Sequence, residues 1–218
     1  MKSNKCYQVI RLIREMDTKD TIVYEAHGNL YLNITNRCTS DCVFCIKRYS
    51  DGVYGFNLRL SKEPAVSTII DELSGIELSK YREAVFTGLG EPLVRLDEVL
   101  EITQWLTSQE MRTRLDTIGH AKLIYPGRNV AKELADAGMK IVSISLNAHD
   151  EETYNQLCAP KHRNSYQKML EFARDVSKAG MELRFTVVNL PKVDIDKCAS
   201  IAKEYCADFK VRGYGGPI

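Results

Sequence analysis

No stretch of this sequence is apolar for long enough to span a bilayer. Its first residues, MKSNKCYQVIRLIREMDTKD, carry a charge every few positions where a signal peptide would have an apolar run. The expected setting is cytoplasmic, where thiols stay reduced and clustered cysteines read as metal ligands, not disulfides. Neither sign of charge dominates: 30 Lys and Arg against 29 Asp and Glu leave a formal net charge of +1. That excludes a global basic footprint for nucleic acid, although not a local basic patch. No Pro/Gly/Ser-rich linker and no low-complexity segment interrupts the 218 residues. The chain is therefore read as one domain over 29–218, with residues 1–28 as an N-terminal extension. Finally, no C-x2-C pair is matched by a second one, the usual supply of a tetrahedral structural zinc.

What the sequence does have is three of its seven cysteines within eight positions, in LNITNRCTSDCVFCIKR (32–48). The spacing is Cys38-x3-Cys42-x2-Cys45. Three thiolates on one short loop suit a metal centre that the protein leaves one ligand short. A cubane iron–sulfur cluster normally takes four thiolates, so three leave one iron open to an exogenous ligand. A three-Cys zinc site completed by a distant histidine is the other reading of the spacing. Cys6, Cys198 and Cys206 lie on helical or terminal patterns and read as structural or bystander thiols.

Strand-like and helix-like apolar patterns alternate along the chain. Strands are expected over 29–35, 83–88, 112–118, 140–147, 181–188 and 208–214, and TIVYEA is placed to pair with the first through His27-Gly28. Between them lie a helical stripe of Val66, Ile69, Ile70 and Leu73, a helix capped by Asp97, one closed by Gly138, and others near 164–179 and 194–205. Six strand–helix units with the last helix missing predict an incomplete (β/α)6 TIM-like barrel, open at the side. A flat doubly wound sheet is the alternative. The strands are apolar on one face and repeatedly polar on the other. Tyr31, Asn33 and Thr35 share the polar face of the first strand; Ser143, Ser145 and Asn147 that of the fourth; Glu182, Arg184 and Thr186 that of the fifth; Lys210 and Arg212 that of the sixth. Either this face meets water, or it surrounds a cavity for a large polar ligand.

The stretch CTSDCVFC resembles the CxxxCxΦC motif of the radical S-adenosylmethionine (SAM) superfamily, with Phe44 as the aromatic Φ. FTGLGEPL (86–93) is similar to that superfamily's glycine–glutamate motif, and VSISLNAHDEETYNQL to its fourth strand and following loop. With NLYLNITNRC, RLDTIGHAKLI and NQLCAPK, these motifs resemble the TatD-nuclease-associated radical SAM proteins, in order from about Tyr24 to Tyr214. The resemblance implies that Cys38, Cys42 and Cys45 hold a [4Fe–4S] cluster whose fourth iron is chelated by SAM. It also implies that Gly88, Gly90 and Glu91 hold the SAM ammonium, Ser145 and Asn147 its ribose, and Val188 its adenine. Thr117-Ile118-Gly119 stands where the relatives carry Thr-Asn-Gly, which removes a polar side-chain contact. The activity implied is reductive cleavage of SAM to methionine and a 5′-deoxyadenosyl radical that abstracts hydrogen from a substrate, with a flavodoxin or ferredoxin as electron donor.

The segment NAHDEETYNQLCAPKHRNS is expected to overhang the barrel mouth as a loop. Within it, Cys158 reads as a small buried hydrophobe before it reads as a hydrogen-atom donor, and His149 and His162 as loop surface. Arg184 and Arg212 are the candidates for gripping an anionic substrate, with Glu182 and Asp116 as their alternative partners within the protein. Two further readings are an iron–sulfur electron carrier without SAM turnover, for which Glu91 and the polar strand faces have no use, and a glycyl-radical-activating enzyme.

Overall fold

The structure, a computed structural model, describes residues 20–216. Among the described residues nine strands and seven α-helices follow in chain order: β1 (Val23–Ala26), β2 (Asn29–Asn33), β3 (Gly52–Val53), β4 (Phe56–Asn57), α1 (Val66–Ser74), β5 (Ala84–Thr87), α2 (Leu96–Ser108), β6 (Thr113–Thr117), α3 (Ala121–Ile124), α4 (Val130–Ala137), β7 (Ile141–Ser145), α5 (Glu151–Cys158), α6 (Ser165–Lys178), β8 (Glu182–Val188), α7 (Ile195–Glu204) and β9 (Asp208–Arg212). Cys6 and the rest of 1–19 lie outside the described residues. From residue 20 onward the expected extension joins the sheet, since β1 pairs antiparallel with β2 across His27-Gly28, both in the left-handed region.

The main sheet runs β1-β2-β5-β6-β7-β8-β9, and every pair from β2 to β9 is parallel. Strands that neighbour in space in their chain order are those of a barrel wall; a doubly wound sheet reverses direction at a switch point. The side chains agree. Leu30, Leu32, Phe86, Leu115, Ile144 and Phe185 from one face of the sheet join Ile69, Ile102, Leu134, Phe172 and Cys198 from α1, α2, α4, α6 and α7 in a single apolar core. All these helices therefore lie on one side. The opposite face is left for the sheet to curl around, as in the partial barrel that was expected. No helix is described after β9, and β1 and β9 are the two unjoined edges. Among the described residues no helix is long and apolar enough to cross a membrane.

The helices follow from their spacing and ends. Val130, Ala131, Leu134 and Ala137 make the buried stripe of α4, Asn129 accepts from the Lys132 N–H at its start, and Gly138 ends it. Two local expectations need correction. Asp97 does not cap α2 but stands in its first turn, where its charge favours the helix dipole and meets Arg128. The 147–164 segment is not all loop. Asp150 accepts from the Thr153 N–H and starts α5, whose weak apolar stripe of Tyr154, Leu157 and Cys158 is too short to stand out as a period.

The inner face has two halves. On the β1–β2 side, Tyr24 stacks on Tyr31 at 5.2 Å, and Phe56 of the β3–β4 hairpin lies 5.3 Å from Tyr24. With Leu58 and Leu89 they form a second, smaller apolar cluster. From β6 to β9 the inner face is polar, as the strand alternation foretold, and encloses a cavity of about 60 Å³.

A cysteine loop at the mouth of the barrel

The loop that carries Cys38, Cys42 and Cys45 leaves the C-terminal end of β2, the end at which barrel folds carry their reactive groups. All three cysteines are half-buried and unpaired as disulfides. The loop is laced to the segment that follows α5. The Asp41 N–H donates to Ala159 O, Val43 N–H to Leu157 O and Lys161 N–H to Thr39 O, at 3.2, 2.9 and 2.9 Å. Lys161 Nζ donates to the Cys38 carbonyl at 2.9 Å, and Arg48 Nε to that of Cys42 at 2.8 Å. The overhanging segment is thus the seat of the cysteine loop. Phe44 packs against the main core, while Val43 beside it is exposed.

The glycine turn after β5 completes this seat. A Cβ on Gly90 would lie 2.4 Å from Thr35 O and 2.6 Å from Arg37 O, and one on Gly88 would lie 2.2 Å from Asn33 Oδ1. Only glycine lets the two loops approach so closely, and the Glu91 N–H donates to Arg37 O at 2.8 Å. The Glu91 side chain is engaged within the protein. Its carboxylate is buried and accepts from Leu93 N, Thr117 Oγ1 and Ile118 N at 3.0, 2.7 and 2.7 Å. Burial raises its pKa and the three donors offset part of that rise. A carboxylate so engaged fastens the β5 turn to the end of β6. Ile118, which stands where the relatives carry a polar side chain, serves this turn through its backbone N–H.

Two thiols are held protonated in this arrangement. Burial pushes Cys38 up to about 11. Cys42 is raised by a hydrogen bond with the Cys158 thiol and by burial. Metal binding would have to displace those protons, as it does for any thiolate ligand. Cys158 is buried as expected, but it lies against Cys42 and receives a long contact from Asn147 Nδ2 at 3.8 Å.

A feature not anticipated from the sequence is His120, fully buried beside the loop. Its Nδ1 shares a hydrogen bond with Thr39 Oγ1 and its Nε2 with Tyr154 Oη, both at 2.9 Å. Burial and the neighbouring His162 lower its pKa to about 4, so it is neutral at pH 7. With both ring nitrogens engaged, it is no fourth ligand for a zinc ion. The only hint in the sequence was a polar residue among apolar ones in TIGHAKLI. His149 meets the Asp194 N–H and Asp150, and His162 is exposed.

Among the described residues no group of three His, Cys, Asp or Glu side chains converges on a single ion site. A four-iron cubane takes its thiolates at separate corners, so a spread triad on one loop is compatible with it. The donor set therefore fits a cluster with one open iron. Acceptors for a polar ligand exist as well. Asn33 Oδ1 and Asn147 Oδ1 are buried without a hydrogen-bond partner, and Asn147 holds a left-handed backbone, φ 57°. Unpaired buried acceptors call for a donor, and an amino group or ribose hydroxyls are donors. Ser145 and Val188 end β7 and β8 near Arg212, which donates to Ser145 Oγ at 3.2 Å.

An open parallel barrel with a three-cysteine loop at its C-terminal mouth defines a class of cluster-carrying barrel proteins. Residues 32–204 match the model of the radical SAM superfamily, and the chain belongs to that superfamily, whose enzymes bind a [4Fe–4S] cluster and SAM. The chain is 28% identical over 163 residues to a probable dual-specificity RNA methyltransferase RlmN of Thermus thermophilus, covering 69% of this chain and 42% of that protein. It is 25% identical over 174 residues to a GTP 3',8-cyclase of Trichormus variabilis, covering 79% and 51%. The chain thus spans about half the length of the curated relatives it matches, or less. Streptococcus suis SuiB bound to S-adenosylmethionine shares the fold, with a TM-score of 0.68 at 16% identity over 100% of this chain and 48% of that one.

Proposed function

We propose that this chain is the core of a radical SAM enzyme, most similar to the TatD-nuclease-associated group, acting on a small substrate held in the barrel. The observation that carries the reading is the cysteine loop and its seat: three half-buried thiols beside a glycine turn whose backbone admits no Cβ. When bound, a [4Fe–4S] cluster with SAM supplies a reductive cleavage that ends in hydrogen abstraction from the substrate. Cys38, Cys42 and Cys45 would hold the cluster, and Lys161 and Arg48 keep the loop carbonyls in place for them. The backbone at Gly88 and Gly90, with the Glu91 carboxylate beside it, would receive the ammonium end of SAM. Asn147 and Ser145 would meet the ribose, and Val188 the adenine. The apolar cluster of Tyr24, Phe56 and Leu89 closes one flank of the lumen and excludes water from it. A cytoplasmic flavodoxin or ferredoxin is the fitting class of electron donor for such a cluster.

Anaerobic reconstitution tests this. About four irons and four sulfides per chain are expected, as in a cubane. Serine at Cys38, Cys42 or Cys45 should abolish them, while serine at the exposed Cys206 should not. With dithionite and SAM the loaded protein should release 5′-deoxyadenosine. Stoichiometric zinc without iron in protein prepared without oxygen would refute the assignment.

A further inference from the structure

The β8–β9 side of the lumen holds more positive charge than the protein answers. Register places Arg184 with Asp208, Thr186 with Lys210 and Val188 with Arg212 on the inner face. Arg184 has only a 3.7 Å contact with Asp208, whose side chain is 74% exposed, and water screens such a pair strongly. Arg212 donates to two neutral hydroxyls, Ser145 Oγ at 3.2 Å and Thr186 Oγ1 at 2.9 Å. Among the described residues no carboxylate meets Arg212, and Lys210 has no hydrogen-bond or ion-pair partner. The acids expected to neutralise this group have other partners: Asp116 lines the cavity but, with Glu83, holds Arg114, and Glu182 holds Arg112. Arg114, Arg184, Lys210 and Arg212 line a cavity of about 60 Å³ together with Asp116, and of these cations Lys210 and Arg212, both exposed on the edge strand, are the two without a carboxylate partner among the described residues. The cavity is several times the roughly 10–15 Å³ that one water needs.

We propose that this is an oxyanion subsite, and that it takes a phosphoryl group of the substrate. Lys210 and Arg212 are the two cations left without a carboxylate, and the several oxygens of a phosphoryl group can meet both at once. The guanidinium fork of Arg212 suits paired oxygens, and the neighbouring Lys210 supplies a point charge. Asp116 on the β6 side repels an anion, so the phosphoryl group sits toward β8 and β9. The remainder of the substrate then points up toward the cysteine loop. The inference names the substrate class for the reading above and rests on it.

The test uses the full chain with its cluster reconstituted, titrated with inorganic phosphate by calorimetry, first alone and then with saturating SAM. Saturable binding is expected under both conditions. Arg212→Gln and Lys210→Gln should each weaken it about tenfold, the size of a lost charge-assisted hydrogen bond. Arg112→Gln, at an ion pair outside the cavity, should leave it unchanged. Absence of saturable binding, or equal weakening by Arg112→Gln, overturns the subsite. Displacement of phosphate by SAM assigns the cations to the SAM carboxylate and also overturns it. Succinate competing at the same concentration as phosphate overturns the phosphoryl assignment in favour of a dicarboxylate. Iron content and SAM binding are read on the same samples. A chain lacking both refutes the radical SAM reading, while the phosphate titration still decides the subsite.

Discussion

Glu91 combines a charge with 1% exposure, and its three donors are what make that tolerable. Removing the carboxylate strands the Leu93 and Ile118 N–H groups and the Thr117 hydroxyl in a buried turn. Each stranded group costs about 1–3 kcal/mol, not additively. Glu91→Ala is therefore expected to lower stability to urea by about 3 kcal/mol, and Glu91→Gln, which keeps an acceptor, by less. A Glu91→Ala protein with unchanged stability and impaired SAM binding alone would show that the carboxylate serves the ligand and not the turn. The GLGEP motif was legible as a motif, but the direction of its carboxylate was not. Its partner Thr117 lies 26 positions away on another strand.

Among the elements, the turn after β5 and the cysteine loop form one unit, and Gly90 is where they touch. The atoms a Cβ would meet are backbone carbonyls of Thr35 and Arg37, which cannot swing aside as a side chain can. Gly90→Ala should cost at least 1–3 kcal/mol, the usual range for overpacking, and reduce iron uptake by shifting the loop. Gly127→Ala, with nothing within 4 Å of its Cβ, is the matched control and should change neither the melting temperature nor iron content. Most strands and long helices were readable because their apolar periods run over many residues. The segment after β7 was not, because α5 has only eight residues and buries three of them. It is held by the cysteine loop across the barrel mouth more than by its own pattern.

At the scale of the whole molecule, Thr39, His120 and Tyr154 connect the cysteine loop, the end of β6 and α5 in one buried chain of hydrogen bonds. Its centre is a histidine whose folded pKa, about 4, lies below the ordinary 6.5. Between those values the unfolded chain binds the proton and the folded one does not. Stability is therefore full above pH 6.5 and is lost as pH falls toward 4, by about 3 kcal/mol in all. Urea midpoints measured from pH 7 to pH 4.5 should show this decline, and His120→Gln should flatten it. An identical slope in the variant would mean that other groups carry the acid response. The same scale decides the lumen. Strand alternation foretold a polar inner face, and the packing of α1, α2, α4, α6 and α7 on the other face is what leaves it to line a cavity.

The sequence by itself determined what short-range geometry controls. The Cys38-x3-Cys42-x2-Cys45 spacing sets which thiols share a loop, and alternation sets which strand residues share a face. The apolar stripes set which helix sides are buried. Only the tertiary structure decided which distant groups meet. It turned Glu91 toward Thr117 and Ile118, laid Cys158 against Cys42, and closed His120 between Thr39 and Tyr154. It also left Arg212 and Lys210 at the cavity without a carboxylate partner among the described residues, while Asp116 and Glu182 paired with other arginines. The reason is that spacing along a chain constrains only a residue's near neighbours. A buried charge or thiol takes whichever partner the order of strands and the closure of loops brings within hydrogen-bonding distance.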